Sequence, residues 1–123
     1  MNIIINTSSM IPIYEQIMGA IKSDISRGNL KDGDPLPSVR SLASDLKISA
    51  LTVKKAYDQL EDDGLIATVH GKGSYVKASG ASIIREEQLK ILEGELELVY
   101  EKAKLFNVSK EELSEMLNIV MGD

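Results

Sequence analysis

Two serines, Ser38 and Ser49, constrain this chain most, because each opens a run with helical apolar spacing and they stand only eleven positions apart. Serine suits the N-cap position, where its hydroxyl satisfies an otherwise orphaned N–H of the first turn. The first run, Val39, Leu42, Ala43 and Leu46, predicts a short helix ending near Leu46, and Pro37 forbids an earlier start. Ile48 interrupts. The second run, Val53, Ala56, Tyr57 and Leu60, predicts a third helix, capped by Ser49 and closed by Gly64. Two helices of this size joined by a few residues read as a helix-turn-helix.

What flanks the pair extends the reading. Ahead of it, Pro12 suits a first helical turn, and Ile13, Ile17, Ala20, Ile21 and Ile25 recur at helical spacing until Gly28. Gly19 weakens the middle of that helix by roughly 1 kcal/mol against Ala, so a close helix contact is expected there. Lys31 to Pro35 is turn chemistry. Behind the pair, Leu65–Val69, the His70-Gly71-Lys72-Gly73 turn and Ser74–Lys77 read as strand, turn and strand. A helix-turn-helix followed by a hairpin is a winged helix. Beyond Ser79-Gly80, read as a hinge, Leu89, Leu92, Leu96, Val99, Ala103 and Phe106 form one apolar line. Ile84, Ile91, Leu98 and Leu105 form a second, seven apart. Ser109 with Glu112 is a capping box for a last helix whose inner face is Leu113, Met116, Leu117, Val120 and Met121. The expected fold is mainly α with a small β-hairpin: a winged helix-turn-helix over residues 1–78, then a two-helix tail over 79–123.

Composition removes whole classes of function. There is no Cys and a single His, His70, so disulfides, thiol catalysis and a His- or Cys-based metal cluster are excluded. Without Trp, and with aromatics at 4%, a stacking platform for single-stranded nucleic acid is not expected. No apolar run reaches the roughly 18 residues of a membrane span, and no basic leader precedes an apolar core, so the expected address is the cytoplasm. The net charge of −5 is unevenly placed. Residues 1–78 carry nine basic and nine acidic side chains, whereas residues 79–123 carry five and ten. A neutral domain binds DNA when its cations share one face, so placement outweighs the sum.

The candidate contacts are few. In the third helix Ser49, Ala50, Leu51, Thr52 and Lys55 lie off the apolar face or at its edge, and Lys54 adds positive charge. The N-terminal end of a recognition helix meets base edges, and its early N–H groups and hydroxyls hold phosphate. Taken alone, the same residues also fit a solvated helix start. Arg40 stands in the first turn of the short helix, an unfavourable place for a cation beside a helix dipole; a phosphate, a guanine or a pairing with Asp45 would account for it. At the hairpin, His70, Gly71 and Lys72 put two basic side chains on a tight turn that suits a minor groove. As a catalytic site the turn fails, because His70 has no nucleophile or orienting acid near it in sequence. No nucleotide loop is present, so neither an enzyme nor a cofactor is expected.

Ordered pieces of residues 12–77 resemble the winged-helix domain of the GntR superfamily of bacterial transcription regulators. They are Pro12-Ile13-Tyr14-Glu15-Gln16-Ile17, Gly33-Asp34-Pro35-Leu36-Pro37-Ser38-Val39-Arg40, Leu42-Ala43, Ser49 with Thr52-Val53, Ala56-Tyr57, Leu60-Glu61, Gly64-Leu65-Ile66 and Gly71-Lys72-Gly73-Ser74-Tyr75-Val76. The resemblance implies DNA contacts by Arg40, by Ser49, Thr52 and Lys54, and by His70, Gly71 and Lys72. One departure is Ala50 followed by Leu51, where family members often carry Arg or Asn. Small apolar residues there suit a thymine methyl, so the operator sequence does not transfer.

The tail is similar to the short YtrA-like branch, whose tail serves dimerisation and whose members are often encoded beside membrane transporters. Physical reasoning agrees. A helix from about 82 to 106 is roughly 37 Å long, and its apolar face is broad enough for an isologous two-fold interface. The expected interface is Leu89, Leu92, Leu96, Val99, Ala103, Phe106, Leu113 and Leu117, with the acidic tail facing away from DNA. The chain is thus expected to be a homodimeric regulator, a repressor, bound to a palindromic operator in double-stranded DNA. Two other readings fit the residues: a ligand-responsive switch with a small effector at the dimer interface, lined by Met116 and Met121, or a winged-helix protein-interaction module.

Overall fold

The computed structural model describes residues 1–122, and the local signals convert directly into its elements. Helix α1 spans Ile13–Ser26, α2 Val39–Leu46 and α3 Ala50–Asp62. Strands β1 (Ile66–Val69) and β2 (Gly73–Val76) pair antiparallel, with Ile66 opposite Val76 and Val69 opposite Gly73. Helices α4 (Gly80–Leu105) and α5 (Lys110–Met121) complete the chain. Each expected cap is formed: Ser38 accepts from Ser41 N, Ser49 from Leu51 N, and Ser109 with Glu112 makes the full capping box. Gly64 ends α3 at φ +83°, a left-handed conformation that a side chain would resist.

The chain divides into two compact units, Met1–Glu86 and Glu87–Asp123. In the first, Ile17, Ile21 and Ile25 of α1 meet Val53, Ala56 and Leu60 of α3, all buried, and Leu42 closes the core from α2. Each of the Ile, Leu and Val side chains contributes roughly 1.5–3 kcal/mol by leaving water. Two contributors lie at the extremes of the unit. Ile3 is buried ahead of the first helix, and Ile84 is buried in the second turn of α4. The segment before α1 is stitched down by Gln16, whose Nε2 donates to Asn6 O (3.0 Å) and Ile11 O (2.9 Å) while its Oε1 accepts from Asn6 N (2.8 Å).

Residues 33–36 line the other edge of β2. Gly33 N donates to Val76 O (2.8 Å), Val76 N to Asp34 O (2.9 Å) and Leu36 N to Ser74 O (2.9 Å). The hairpin is thereby held along its second strand by the loop that leads into α2.

Two sequence expectations are corrected. Ser79-Gly80 is no hinge: Gly80 is the buried first residue of α4, and a Cβ there would sit 3.3 Å from Leu65 O. Ser79 Oγ also donates to Gly64 O (3.3 Å). The tail's composition changes at residue 79 while the packed unit runs to Glu86, because Ile84 still serves its core. Gly19 makes no close helix contact either, since a Cβ there would meet nothing within 4 Å. Gly19→Ala is therefore expected to stabilise the unit by about 0.4–1 kcal/mol, through helix propensity and a less flexible unfolded chain. A urea titration reads this as a raised midpoint with unchanged slope; a lowered midpoint contradicts it.

Candidate nucleic-acid interface

The start of α2 is pinned from below. Tyr57 is buried in α3, and its hydroxyl donates to Pro37 O at 2.7 Å, which fixes the residue just ahead of the Ser38 cap. Burial pushes the Tyr57 phenol up to about 12. Below pH about 10 the phenol keeps its proton in both folded and unfolded chains. Between about 10 and 12 only the unfolded chain ionises, so stability falls as pH rises through that window. Tyr57→Phe is expected to flatten this alkaline limb and to cost about 0.5–1.5 kcal/mol near neutrality through the lost hydrogen bond. Denaturation series at pH 8 to 12 check both. Arg40 follows one residue into α2. It is exposed and, among the described residues, has neither Asp45 nor any other carboxylate as partner. A lone cation at the positive end of a helix is a place where an anion gains.

Between the two helices the backbone turns at Lys47, which takes φ +57° and ψ +46°. That conformation costs a non-glycine residue roughly 1 kcal/mol, yet the position carries an exposed cation. Sequence reasoning passed over Lys47. Its signal was a lysine where a helix of this length should end on Gly or Asn. Beyond it, Ser49 and Ala50 are exposed, Leu51 is 78% exposed and Thr52 is half-buried. Lys54 and Lys55 are exposed but engaged. Lys54 Nζ lies 2.7 Å from Asp58 Oδ2, which raises its pKa, the hydrogen bond counting first and the charge second. Lys55 Nζ sits 4.1 Å over the Tyr14 ring of α1. Asp58 also went unremarked in the sequence.

The wing is a short ribbon tied to α3 one pair below its tip. Thr68 N donates to Glu61 Oε2 of α3 (2.9 Å), and the Thr68 and Ser74 hydroxyls face each other across the strands at 2.9 Å. At the tip Lys72 N donates to Val69 O (2.9 Å), and Gly71 takes φ +81° at the third turn position, as a type II turn requires. His70, Gly71 and Lys72 are all exposed. The sequence-predicted contacts therefore ride on three elements of one packed unit, joined by the Tyr57–Pro37 and Glu61–Thr68 bonds. Thr52 is half-buried, and the others are exposed.

The second unit is a different kind of surface. Residues 87–102 of α4 are exposed all round. Leu89, Leu92, Leu96, Val99, Phe106 and Leu117 remain between 41% and 68% exposed. Two of the predicted interface residues are already occupied within the unit: Ala103 is buried and Leu113 half-buried. Both border a cleft of about 260 Å³ with Val99, Phe106, Val108 and Met116. Met121 does not line that cleft. Among the described residues no helix is long and apolar enough to cross a membrane.

Comparison with known proteins agrees with this geometry. The pattern of the family described as "Bacterial regulatory proteins, gntR family" matches residues 13–76. The HTH-type transcriptional repressor YtrA of Bacillus subtilis is 35% identical over 119 residues, covering 97% of this chain and 92% of the relative. The crystal structure of a transcriptional regulator from Oenococcus oeni superposes with a TM-score of 0.79 at 31% identity, covering 95% of this chain and 97% of the other. The DNA-binding domain of AraR, solved in complex with operator ORR3, superposes with a TM-score of 0.53 at 29% identity, covering 59% of this chain and 88% of that one.

Proposed function

As the chain belongs to the GntR family of bacterial regulatory proteins, transcriptional regulators built on a DNA-binding helix-turn-helix and not enzymes, we propose that it acts as a homodimeric repressor. It occupies a palindromic operator in the cytoplasm and blocks the promoter by competition. Each subunit lays the N-terminal end of α3 in a major groove, where Ser49, Ala50, Leu51, Thr52, Lys54 and Lys55 face base edges or phosphate. Arg40 and Lys47 hold the backbone on either side of α2, and His70, Gly71 and Lys72 enter the neighbouring minor groove. In support, YtrA carries the name of repressor, and AraR of similar fold is bound to an operator.

The observation that carries the DNA reading is Arg40, an exposed cation without a carboxylate partner among the described residues, on a helix start that Tyr57 pins in place. The tail supports the dimer. An exposed apolar patch this long is unusual for a free chain, and a second copy of the same face covers it by two-fold symmetry. The effector reading has less behind it, because only one of its two methionines, Met116, lines the apolar cleft of about 260 Å³.

Selection of bound fragments from random duplexes tests the function directly. The expected product is an inverted repeat with half-sites about one helical turn, roughly 34 Å, or a multiple apart, bound less tightly as salt rises. Recovery of no enriched sequence, or of a single asymmetric half-site, overturns the reading.

A further inference from the structure

The chain has one histidine, His70, and no Cys, so no other side chain has its ordinary titration between about pH 6 and 8. The fold puts that one group at the tip of the wing. Lys72 N donates to Val69 O (2.9 Å) and Gly71 takes φ +81°, which makes His70 the second residue of a closed four-residue turn. It is exposed, on the same turn as Lys72. The other titratable groups of the hairpin and its flanks are Tyr75 of β2, Asp34 beside that strand, and Asp58, Glu61 and Asp62 of α3. Asp58 pairs with Lys54, Glu61 accepts from Thr68 N and Asp34 accepts from Lys31 N. Among the described residues no carboxylate holds the imidazole. We propose that His70 makes operator binding proton-linked: the wing enters the minor groove with its imidazole charged, and occupancy falls as pH rises.

The proposal rests on the wing lying in a minor groove, as in the reading above. In the free chain the imidazole meets solvent, and the only charge on its own turn is the like charge of Lys72. In the groove it meets the negative potential of two phosphate backbones, which favours the cationic ring over the neutral one. The proton is therefore held more tightly in the complex than in the free chain. A basic group strengthened in this way adds its full share of affinity at low pH, where the free ring is already charged. That share is lost as pH rises past the point at which the bound ring gives up its proton. Arg40, Lys47 and Lys72 stay charged across the same range and supply a constant background. Two copies of the wing double the effect in logarithmic terms. A three- to tenfold gain in proton affinity at each wing gives about a six- to 40-fold loss of operator affinity between pH 6 and 8.

The test measures binding of the full chain to the selected operator at pH 6, 7 and 8, over a range of salt. The proteins are wild type, His70→Gln and His70→Lys. Wild type is expected to show that six- to 40-fold loss, with a salt slope steeper by about one at pH 6 than at pH 8, because a charged imidazole displaces counterions. His70→Gln should bind alike at every pH, near the wild-type affinity at pH 8. His70→Lys should also be indifferent to pH, near the wild-type affinity at pH 6. Loss of affinity with pH that survives in His70→Gln, or His70→Lys no tighter than His70→Gln at pH 8, overturns the proposal. Wild type that selects no operator overturns the functional reading, and this proposal with it; wild type that selects an operator and binds it equally at pH 6 and 8 overturns the proposal alone.

Discussion

Leu96→Asp is expected to give a folded monomer that binds the operator at least about a hundredfold more weakly than the parent, the avidity that two linked half-sites supply. Leu96 is 51% exposed in the single chain and lies outside the Met1–Glu86 unit, so the substitution leaves the core of the winged unit intact. In a two-fold interface the change is made twice at once. Each new carboxylate would be buried without a partner, a defect that costs about 3–5 kcal/mol at such sites. Sedimentation velocity at micromolar concentration reports the assembly, and operator titration reports the affinity. A dimer that survives Leu96→Asp shows that the α4 face is not where the copies meet.

The second large effect is at Arg40. Arg40→Ala is expected to weaken operator binding by about 1–3 kcal/mol, roughly five- to 150-fold, as for a single Arg contact to a base or phosphate. Stability should move the other way. A cation in the first turn opposes the helix dipole, and Arg40 has no carboxylate among the described residues to offset this, so its removal should stabilise α2 by about 0.3–1 kcal/mol. Weaker binding together with an equal or higher melting temperature identifies a residue kept for its ligand. Unchanged binding removes Arg40 from the interface.

What could be read from the sequence followed the range of the forces involved. The three serine caps, the Gly64 stop and the glycine turn of the wing are local devices, satisfied within four residues, and each formed where the sequence places it. The apolar faces of α1 and α3 followed from their period alone. Contacts distant in sequence were not legible. Nothing in the residues announces that Gln16 fastens Asn6, that Tyr57 reaches back to Pro37, or that residues 33–36 flank β2. Gly19 and Gly80 make the same point from opposite sides. One was expected to be crowded and is open, the other was expected to flex and is packed, because neighbours rather than identity decide what a glycine is for. In the candidate interface the positions of Arg40, Ser49 and the wing tip were readable from cap and turn chemistry. The pairing of Lys54 with Asp58 depended on side-chain conformation, which periodicity does not specify.

The family pattern covers residues 13–76, yet the first unit draws on Ile3 before that span and Ile84 after it. A gene fragment trimmed to the recognisable motif would consequently be cut through its own foundations, with voids at both ends where those isoleucines belong. The smallest self-sufficient DNA reader in this chain is wider than the signature that identifies it, and any transplant of the reading head onto another scaffold should carry both margins along.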